Sequence, residues 1–211
     1  MEIYKYGDDQ ASIVLIQLVG EHDLSGIEQE IHEIQKLTEM KFQLIALKVN
    51  NWNHDLSPWN ADAVFGNEGF GDGAEKTLDE VLKLCADFNK TYCIGGYSMS
   101  GLFALWSAYQ TNRFAGVASA SPSIWFLDFL HYMKQQKIQT NCIYLSLGNK
   151  EEKTRNSVVA QVGDCIREAY DLLNAEKIQC TLEWNEGGHF KEPHLRTAKA
   201  FVWVMKNIKK S

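Results

Sequence analysis

Short apolar runs alternate along the chain with segments whose apolar residues return every three or four positions. A short run that is apolar on both faces predicts a buried strand, and the longer period predicts an amphipathic helix. The predicted strands are 13–19, 42–49, 91–94, 114–119, 142–147 and 180–184. The helical period is found in 27–37, 78–88, 102–106, 127–135, 159–173 and 195–205. This strict alternation predicts an α/β fold, with a mostly parallel sheet and helices on both faces.

Local signals refine the pattern at a few places. Ser25 and Glu28 stand three residues apart before an apolar stripe, which predicts a capping box at the start of the first helix. Pro193 is a residue favoured at the first helical position, so it marks the start of the last helix. Residues 3–6 can supply one further strand. The connection 50–73 is long for a compact domain, and loops of that length are often functional.

The composition is ordinary for a globular protein, with 45% hydrophobic and 23% charged residues. A chain of 211 residues suits one domain, 1–211, with a sizeable core. A net charge of −6 argues against nucleic acid or an anionic membrane as the main partner. The first residues lack the basic and apolar segments of a signal peptide. No apolar run is long enough to cross a bilayer, so we expect a cytoplasmic protein.

Five cysteines are spread through predicted strands and helices, and no two of them form a C-x-x-C pair. They are expected to be small, buried hydrophobic residues in a reducing compartment. No cluster of histidine, cysteine and acidic residues has the spacing of a metal site. The sequence therefore predicts neither a metal nor any other cofactor.

The stretch Gly96-Tyr97-Ser98-Met99-Ser100-Gly101 carries the most specific signal in the chain. It joins a predicted strand directly to a predicted helix, and a serine at the apex of such a turn is a nucleophile elbow. Strand and helix nearly collide there, so the residues two before and two after the serine must be small. Gly96 meets this requirement, whereas Ser100 stands where the usual pattern has a second glycine. The alternative is a Gly/Ser-rich turn that only changes the chain direction or cradles a phosphate.

Two further candidates follow in the order serine, acid, histidine that elbow enzymes use. Glu151 stands three residues after Gly148, just beyond the fifth predicted strand, and His189 follows a Gly-Gly pair beyond the sixth. All three residues therefore come at the carboxyl ends of parallel strands, where the catalytic groups of open sheets gather. We predict Ser98 as the nucleophile, His189 as the base and Glu151 as the acid that orients the base.

Other residues compete for these roles. Glu152 is adjacent to the predicted acid and chemically identical, and Asp128 is an outside candidate; a charged turn of this kind is most often simply solvated. His194 is the nearest competitor for the base. His54 and Asp55 form a tempting pair, but they precede the serine and break the expected order.

The predicted oxyanion hole uses two backbone amides. The N–H of Met99 follows the nucleophile, and the N–H of Glu21 lies in the loop after the first predicted strand. Three tryptophans, Trp52, Trp59 and Trp125, are predicted to line an aromatic substrate pocket beside the serine. The alternative is that they pin loops onto the sheet, as buried aromatic residues commonly do.

With these motifs the chain resembles the esterase branch of the α/β-hydrolases, which includes enterochelin esterases and S-formylglutathione hydrolases. The resemblance covers about residues 13–206. Besides the elbow it rests on Ser121-Pro122-Ser123-Ile124-Trp125, Asp55-Leu56-Ser57-Pro58, Gly148-Asn149-Lys150-Glu151 and Gly188-His189. It implies an α/β-hydrolase fold and a serine carboxylic-ester hydrolase with Ser98, Glu151 and His189 as its triad. The chain lacks most of the initial antiparallel strands of these relatives, and no insertion follows the fourth predicted strand, so no separate lid domain is expected.

The predicted function is hydrolysis of a small-molecule carboxylic ester through an acyl-enzyme formed on Ser98. An enzyme with the same site could instead cleave a thioester or transfer the acyl group to another acceptor. A second alternative is a non-enzymatic binding module on a hydrolase fold, which the complete set of three residues argues against. The sequence indicates no particular oligomeric state.

Overall fold

A seven-stranded sheet forms the centre of the computed structural model, which describes residues 1–208. The last three residues of the predicted domain 1–211 lie outside this description. The strands are β1 (Glu2–Gly7), β2 (Ile13–Val19), β3 (Gln43–Lys48), β4 (Thr91–Tyr97), β5 (Phe114–Ala120), β6 (Cys142–Gly148) and β7 (Gln179–Asn185). The helices are α1 (Glu21–Leu24), α2 (Ile27–Leu37), α3 (Trp52–Asp55), α4 (Ala74–Leu84), α5 (Met99–Gln110), α6 (Phe129–Gln135), α7 (Val162–Ala175) and α8 (Pro193–Asn207).

The sheet is parallel except at one edge. Strands β2 to β7 run parallel, and β1 pairs antiparallel with β3, which confirms the further strand predicted near the amino terminus. The order across the sheet is β1-β3-β2-β4-β5-β6-β7, so the direction in which strands are added reverses between β2 and β4. Open α/β sheets bind ligands in the crevice that forms beyond the carboxyl ends of the strands at such a reversal. The fold thereby brings the elbow after β4 next to the loop after β2.

Helices cover both faces of the sheet. Helices α4 to α7 pack on one face, and α2 and α8 pack on the other. Each face of the sheet forms a hydrophobic cluster with the helices that cover it. Because alternate residues of a strand point to opposite faces, Ile16 and Leu18 of β2 pack in the cluster that contains α5, and Leu15 and Val19 pack in the cluster that contains α8. The predicted α/β class, the mostly parallel sheet and the helices on both faces are confirmed. No helix within residues 1–208 is long and apolar enough to cross a membrane.

The predicted capping box at the first long helix is wrong. The Ser25 hydroxyl donates to the His22 carbonyl at 2.9 Å, and Gly26 is the N-cap of α2, with no side-chain cap. The Asp23 carboxylate instead accepts a hydrogen bond from the Gly20 amide at 2.8 Å, at the start of α1. This four-residue helix is too short to produce a helical period in the sequence, so the pattern did not predict it.

Other helix boundaries agree with the sequence only in part. Helix α4 ends at Leu84; Phe88, which its spacing placed in this helix, is 88% exposed and packs against the Arg113 guanidinium, 5.0 Å from the ring centroid. The long connection 50–73 contains the short helix α3. Pro193 is the first residue of α8, as predicted.

A carboxylic acid is buried between the sheet and α2. Glu30 is 4% exposed, and its Oε2 accepts a hydrogen bond from the Gln17 side-chain amide of β2 at 3.2 Å. Its Oε1 has no hydrogen-bond partner among residues 1–208. Burial raises the pKa of Glu30 to about 8, against the opposing effect of the Gln17 hydrogen bond. The carboxyl group is therefore largely protonated in the folded protein at neutral pH and ionised in the unfolded chain.

This difference should make the fold less stable as the pH rises from about 4.5 to about 8. Over that range the unfolded chain binds fewer protons than the folded protein, so the free energy of unfolding falls with pH. Glu30→Gln keeps the shape of the side chain without its ionisation, so its loss of stability between pH 5 and pH 8 should be smaller by about 3 kcal/mol. Urea unfolding at both pH values measures this, with the exposed Glu28→Gln on the same helix as control. Equal losses in the parent and Glu30→Gln would contradict the assignment.

Candidate active site

The turn between β4 and α5 has the strained backbone that a nucleophile elbow requires. Ser98 lies at its apex with φ 58° and ψ −122°, and a positive φ is uncommon for a residue other than glycine. Strand and helix approach so closely there that a Cβ on Gly96 would lie 1.9 Å from the Ser100 hydroxyl oxygen. This backbone conformation places the Ser98 side chain beyond the edge of the sheet, where it lines a cavity.

Ser100 stands where the usual pattern has a second glycine, and its buried hydroxyl has a hydrogen-bond acceptor. The side chain is fully buried and donates a hydrogen bond to the Leu18 carbonyl near the end of β2, at 2.7 Å. A buried hydroxyl with a partner avoids the cost of an unsatisfied polar group. The departure from the usual pattern is therefore compatible with the elbow, and it ties the start of α5 to β2.

The structure brings together the three residues that the sequence predicted at separate strand ends. His189 follows β7, and its Nε2 lies 3.1 Å from the Oγ of Ser98. Its Nδ1 lies 2.6 Å from the Oε2 of Glu151, which follows β6. With its proton on Nδ1, the imidazole donates a hydrogen bond to the carboxylate, so the lone pair of Nε2 faces the serine hydroxyl. A histidine that acts as a general base needs this tautomer.

Hydrogen bonds hold both carboxylate oxygens of Glu151. The residue is 7% exposed, and its Oε1 accepts from the Gly148 amide at 2.7 Å, the Ser121 hydroxyl at 2.9 Å and the Arg196 guanidinium at 2.7 Å. Burial acts to raise the pKa of this carboxyl. The hydrogen bond and charge of His189, with the Gly148 and Ser121 donors, outweigh burial and hold the pKa below its ordinary value. Glu151 is therefore ionised at neutral pH.

The competing residues lie elsewhere. Glu152 accepts a hydrogen bond from Arg167 of α7 at 3.1 Å, away from the histidine. Asp128 precedes α6 and His194 lies in the first turn of α8, and neither lines the cavity at Ser98. His54 pairs with the adjacent aspartate at 3.1 Å and is likewise outside the cavity wall.

Sequence analysis missed the side chains that support these three residues. The Tyr97 hydroxyl donates to the His189 carbonyl at 2.6 Å, and the Ser123 hydroxyl oxygen lies 3.2 Å from that of Ser98. Arg196 of α8 was missed although its position carried a usable signal. It stands four and eight residues before the buried apolar residues of the same helix face, so the helical period places it on the buried side.

The two predicted oxyanion-hole amides both lie at helix starts. Met99 is the first residue of α5 and Glu21 the first of α1, so neither amide has an acceptor within its own helix. Met99 lines the cavity. From α1 the cavity wall contains His22 and Asp23 but not Glu21, whose carboxylate pairs with Lys48. The structure thus brings Met99 to the cavity and leaves Glu21 beside its wall.

A cavity of about 520 Å³ opens over the Ser98 side chain. Much of its wall is apolar and comes from the connections after β3, β5, β6 and β7 and from the start of α7. These apolar residues include Trp52, Phe65, Phe70, Trp125, Val159, Val162 and Phe190. Phe65 and Phe70 each meet the Trp125 ring edge-on, with centroids 5.8 and 6.1 Å apart. A wall of this kind suits an apolar part of a ligand.

Of the three tryptophans predicted to form the substrate pocket, Trp52 and Trp125 line this cavity and Trp59 does not. The Trp59 indole N–H donates to the Leu127 carbonyl at 3.0 Å, and its ring packs against Phe126 with centroids 5.7 Å apart. The side chain therefore fastens the long connection after β3 to the loop before α6. This is the structural role that the sequence left open as the alternative.

Comparison with known proteins gives matches in structure. No protein-family model matches the chain, and no curated protein matches it in sequence. An IroE-like serine hydrolase from Shewanella oneidensis matches with a TM-score of 0.76 and 18% identity, covering 99% of this chain and 77% of that one. The siderophore hydrolase EstA from Aspergillus nidulans gives 0.68 and 18%, covering 95% and 86%. The Pyrococcus furiosus esterase Pf2001 gives 0.64 and 11%, covering 98% and 87%.

At these identities the likeness establishes the fold, and the chain has the α/β-hydrolase fold. The similar structures are a serine hydrolase, a siderophore hydrolase and an esterase, and the likeness confirms the fold that the motif resemblance implies. Strand β5 connects to α6 through residues 121–128 alone, so no lid domain is inserted there.

Proposed function

We propose that the chain is a serine hydrolase that cleaves small-molecule carboxylic esters through an acyl-enzyme formed on Ser98. The observation that carries the proposal is the chain of two hydrogen bonds, from Ser98 to His189 and from His189 to Glu151, beside an apolar cavity. A hydroxyl is a weak nucleophile until a base removes its proton. This chain of hydrogen bonds supplies the base and the group that orients it. The serine hydrolase and the esterase among the similar structures support the same reaction class.

In the proposed reaction the Ser98 oxygen attacks the ester carbonyl carbon while His189 Nε2 takes the hydroxyl proton. The carbonyl oxygen becomes an oxyanion, which the Met99 amide stabilises. The tetrahedral intermediate then collapses, and the imidazolium gives its proton to the leaving alkoxide, so that an alcohol departs and the acyl group remains on Ser98. The same imidazole then deprotonates a water molecule, whose oxygen attacks the acyl carbon. The second tetrahedral intermediate collapses, the bond between the acyl carbon and the Ser98 oxygen breaks, and the imidazolium returns its proton to that oxygen as the acid departs. Glu151 stays ionised and stabilises the imidazolium.

The second oxyanion donor is proposed to come from the segment after β2. Glu21 is the predicted residue, and His22 provides the next amide along the chain and lines the cavity. Both belong to the first turn of α1, whose amides lack intrahelical acceptors. Because a backbone N–H would stabilise the oxyanion, the identity of the side chain at either position matters less than the position of the helix.

Product analysis tests this function and separates it from its rivals. With a panel of esters of graded acyl length we expect acid and alcohol to be released in equal amounts. A thioesterase would prefer thioester analogues, and an acyltransferase would pass the acyl group to an added alcohol instead of water. No turnover, together with no labelling by a fluorophosphonate, would favour a non-enzymatic binding module.

The cavity wall predicts which tryptophans set substrate preference. Trp52→Ala and Trp125→Ala should change the ranking of esters in the panel, because both side chains line the cavity. Trp59→Ala is the matched control: it removes the packing that fastens the loop, so it should lower the free energy of unfolding by about 3 kcal/mol and keep the parent's ranking. Values of kcat/KM across the panel and urea unfolding provide the measurements. An unchanged ranking in both cavity variants would mean that these rings serve only the fold.

We propose that the chain works as one domain in the cytoplasm, with a small-molecule ester as its partner. The two hydrophobic clusters share one sheet, which supports a single domain. All five cysteines are free thiols and three of them are buried, as expected in a reducing compartment. The proposed chemistry uses no cofactor.

A further inference from the structure

Arg196 has its charged group buried beneath the proposed catalytic residues. It lies near the start of α8 with 2% of its surface exposed. Its Nη1 donates to the Oε1 of Glu151 at 2.7 Å and lies 3.1 and 3.2 Å from the hydroxyl oxygens of Tyr97 and Ser121. The guanidinium does not line the cavity, so any effect on the reaction must pass through these neighbours.

The other side of the guanidinium holds the loop that carries the histidine. Its Nη2 donates to the backbone carbonyls of Glu186 and Gly188, at 3.1 and 3.0 Å. The planar guanidinium group has five N–H donors and can hydrogen-bond to a carboxylate and two carbonyls at once, whereas a lysine ammonium cannot match that geometry. Arg196 therefore ties the ends of β4, β6 and β7 to α8.

The charge of Arg196 acts on the histidine–carboxylate pair as a whole. In the working state the imidazole is neutral and Glu151 is ionised, so the pair carries one negative charge. With one more proton the pair is neutral, whichever of the two residues holds that proton. A buried cation 2.7 Å from the carboxylate stabilises the negative state more than the neutral one. With this cation in place, more acidic conditions are needed before the pair takes up the extra proton.

Other titratable groups near the pair do not replace this charge. Tyr97 stays neutral across the working range, because burial, reinforced by the nearby carboxylate, raises its pKa to about 12. Glu186 and Lys191 pair with each other at 3.3 Å on exposed positions. The remaining titratable residues on the cavity wall are His22, Asp23 and Lys150. Within residues 1–208, Arg196 is the buried cation that contacts Glu151.

We propose that Arg196 is a positioning residue, which balances the buried charge of Glu151 and anchors the His189 loop, so that the site stays active at lower pH than the pair alone would allow. The inference rests on the proposed function, because it assigns Arg196 a part in the same reaction. It also predicts a property of the pair that can be measured without any substrate.

The test is the pH profile of ester hydrolysis in three variants. Arg196→Met removes the charge, so the midpoint of the acid limb of kcat/KM should move to higher pH by about one to two units. KM should change little, because the side chain lies outside the cavity. Arg196→Lys keeps the charge, so it should keep the parent midpoint. It loses the planar set of N–H donors that holds the His189 loop, so it should lower kcat. Arg167→Met, which removes an exposed arginine that pairs with Glu152, is the matched control and should leave the profile unchanged.

The outcomes separate positioning from mere support of the fold. A folded Arg196→Met with the parent midpoint would overturn the proposal, since a purely structural arginine lowers activity without moving the acid limb. If Arg196→Met does not fold, the neutral variant Arg196→Gln, which keeps N–H donors, takes its place: the parent midpoint would overturn the proposal, and a midpoint raised by about one to two units supports it. A displaced midpoint in Arg196→Lys, which keeps the charge, would also overturn it.

An NMR titration of the His189 imidazole distinguishes failure of this inference from failure of the proposed function. The pH at the midpoint of this NMR titration should be higher in Arg196→Met than in the parent, even if the parent hydrolyses no ester. A rise without ester hydrolysis in the parent would reject the proposed function and keep the role of Arg196 in setting the charge of the pair. Ester hydrolysis by the parent, with no change in either midpoint in Arg196→Met, would reject the role of Arg196 alone.

Discussion

Ser98→Ala should lose ester hydrolysis almost completely, with kcat lowered by about 10⁴–10⁶-fold. The hydroxyl of Ser98 is the nucleophile of the proposed reaction, and it alone lies both at the elbow apex and 3.1 Å from the His189 Nε2. Its removal abolishes the acyl-enzyme and leaves only the weak effect of the remaining site on direct attack by water. Steady-state hydrolysis of the best ester in the panel measures the loss. A fluorophosphonate should label the parent at Ser98 and fail to label the variant.

Ser123→Ala is the matched control for that experiment. Its hydroxyl lies 3.2 Å from the Ser98 hydroxyl, so it shares the cavity and the chemistry of the side chain. Because it lies outside the serine–histidine–carboxylate line, losing one neutral hydrogen bond should cost roughly tenfold in kcat or less. Substantial activity in Ser98→Ala with loss of activity in Ser123→Ala would move the nucleophile to the neighbouring serine.

The proposed catalytic residues were predictable because each has a local signal at a strand end. Ser98 has the elbow pattern around it, Glu151 follows a strand and a glycine at a fixed spacing, and His189 follows the last strand. A parallel sheet brings such ends to one edge whatever the packing of its helices. The order of residue types along the chain therefore indicated the candidates, and the contacts in the structure then distinguish Glu151 from the adjacent Glu152.

The support beneath these residues was not predictable in the same way. Arg196 contacts the carboxylate because α8 packs across the ends of β4 and β6, and helix placement of that kind depends on tertiary packing. A charged residue on an apolar stripe indicates burial with a partner. The pattern does not predict which residue the partner is; in the structure it is Glu151, 45 residues earlier in the chain.

The long connection after β3 shows a second limit of sequence patterns. Its length and its aromatic residues indicate a role beyond a plain link, but they do not give the direction of each ring. Trp52 turns to the cavity, whereas Trp59 turns to the loop before α6, where the Leu127 carbonyl accepts its N–H. Irregular segments lack the period of helices and strands that assigns a residue to a face.

Glu151→Gln should lower kcat by about 10²–10⁴-fold, the second largest effect expected in the site. The Glu151 Oε2 accepts a hydrogen bond from the N–H of His189 Nδ1 at 2.6 Å and so holds the Nε2 lone pair toward Ser98. A glutamine amide at this place can donate to Nδ1, which favours the wrong tautomer, and it no longer stabilises the imidazolium. The neutral side chain also leaves the buried Arg196 without its counter-charge, so urea unfolding must show that the variant is folded.

Glu152→Gln provides the matched control, since the same change is made one residue away. Consecutive residues at a strand end point in different directions, and the Glu152 carboxylate pairs with Arg167 of α7 instead of the imidazole. Exposed ion pairs of this kind contribute little to stability, so both kcat and the urea midpoint should stay close to those of the parent. A large loss of kcat in Glu152→Gln, with activity retained in Glu151→Gln, would move the orienting acid by one residue. The proposed roles of Ser98 and His189 would be unaffected by that result.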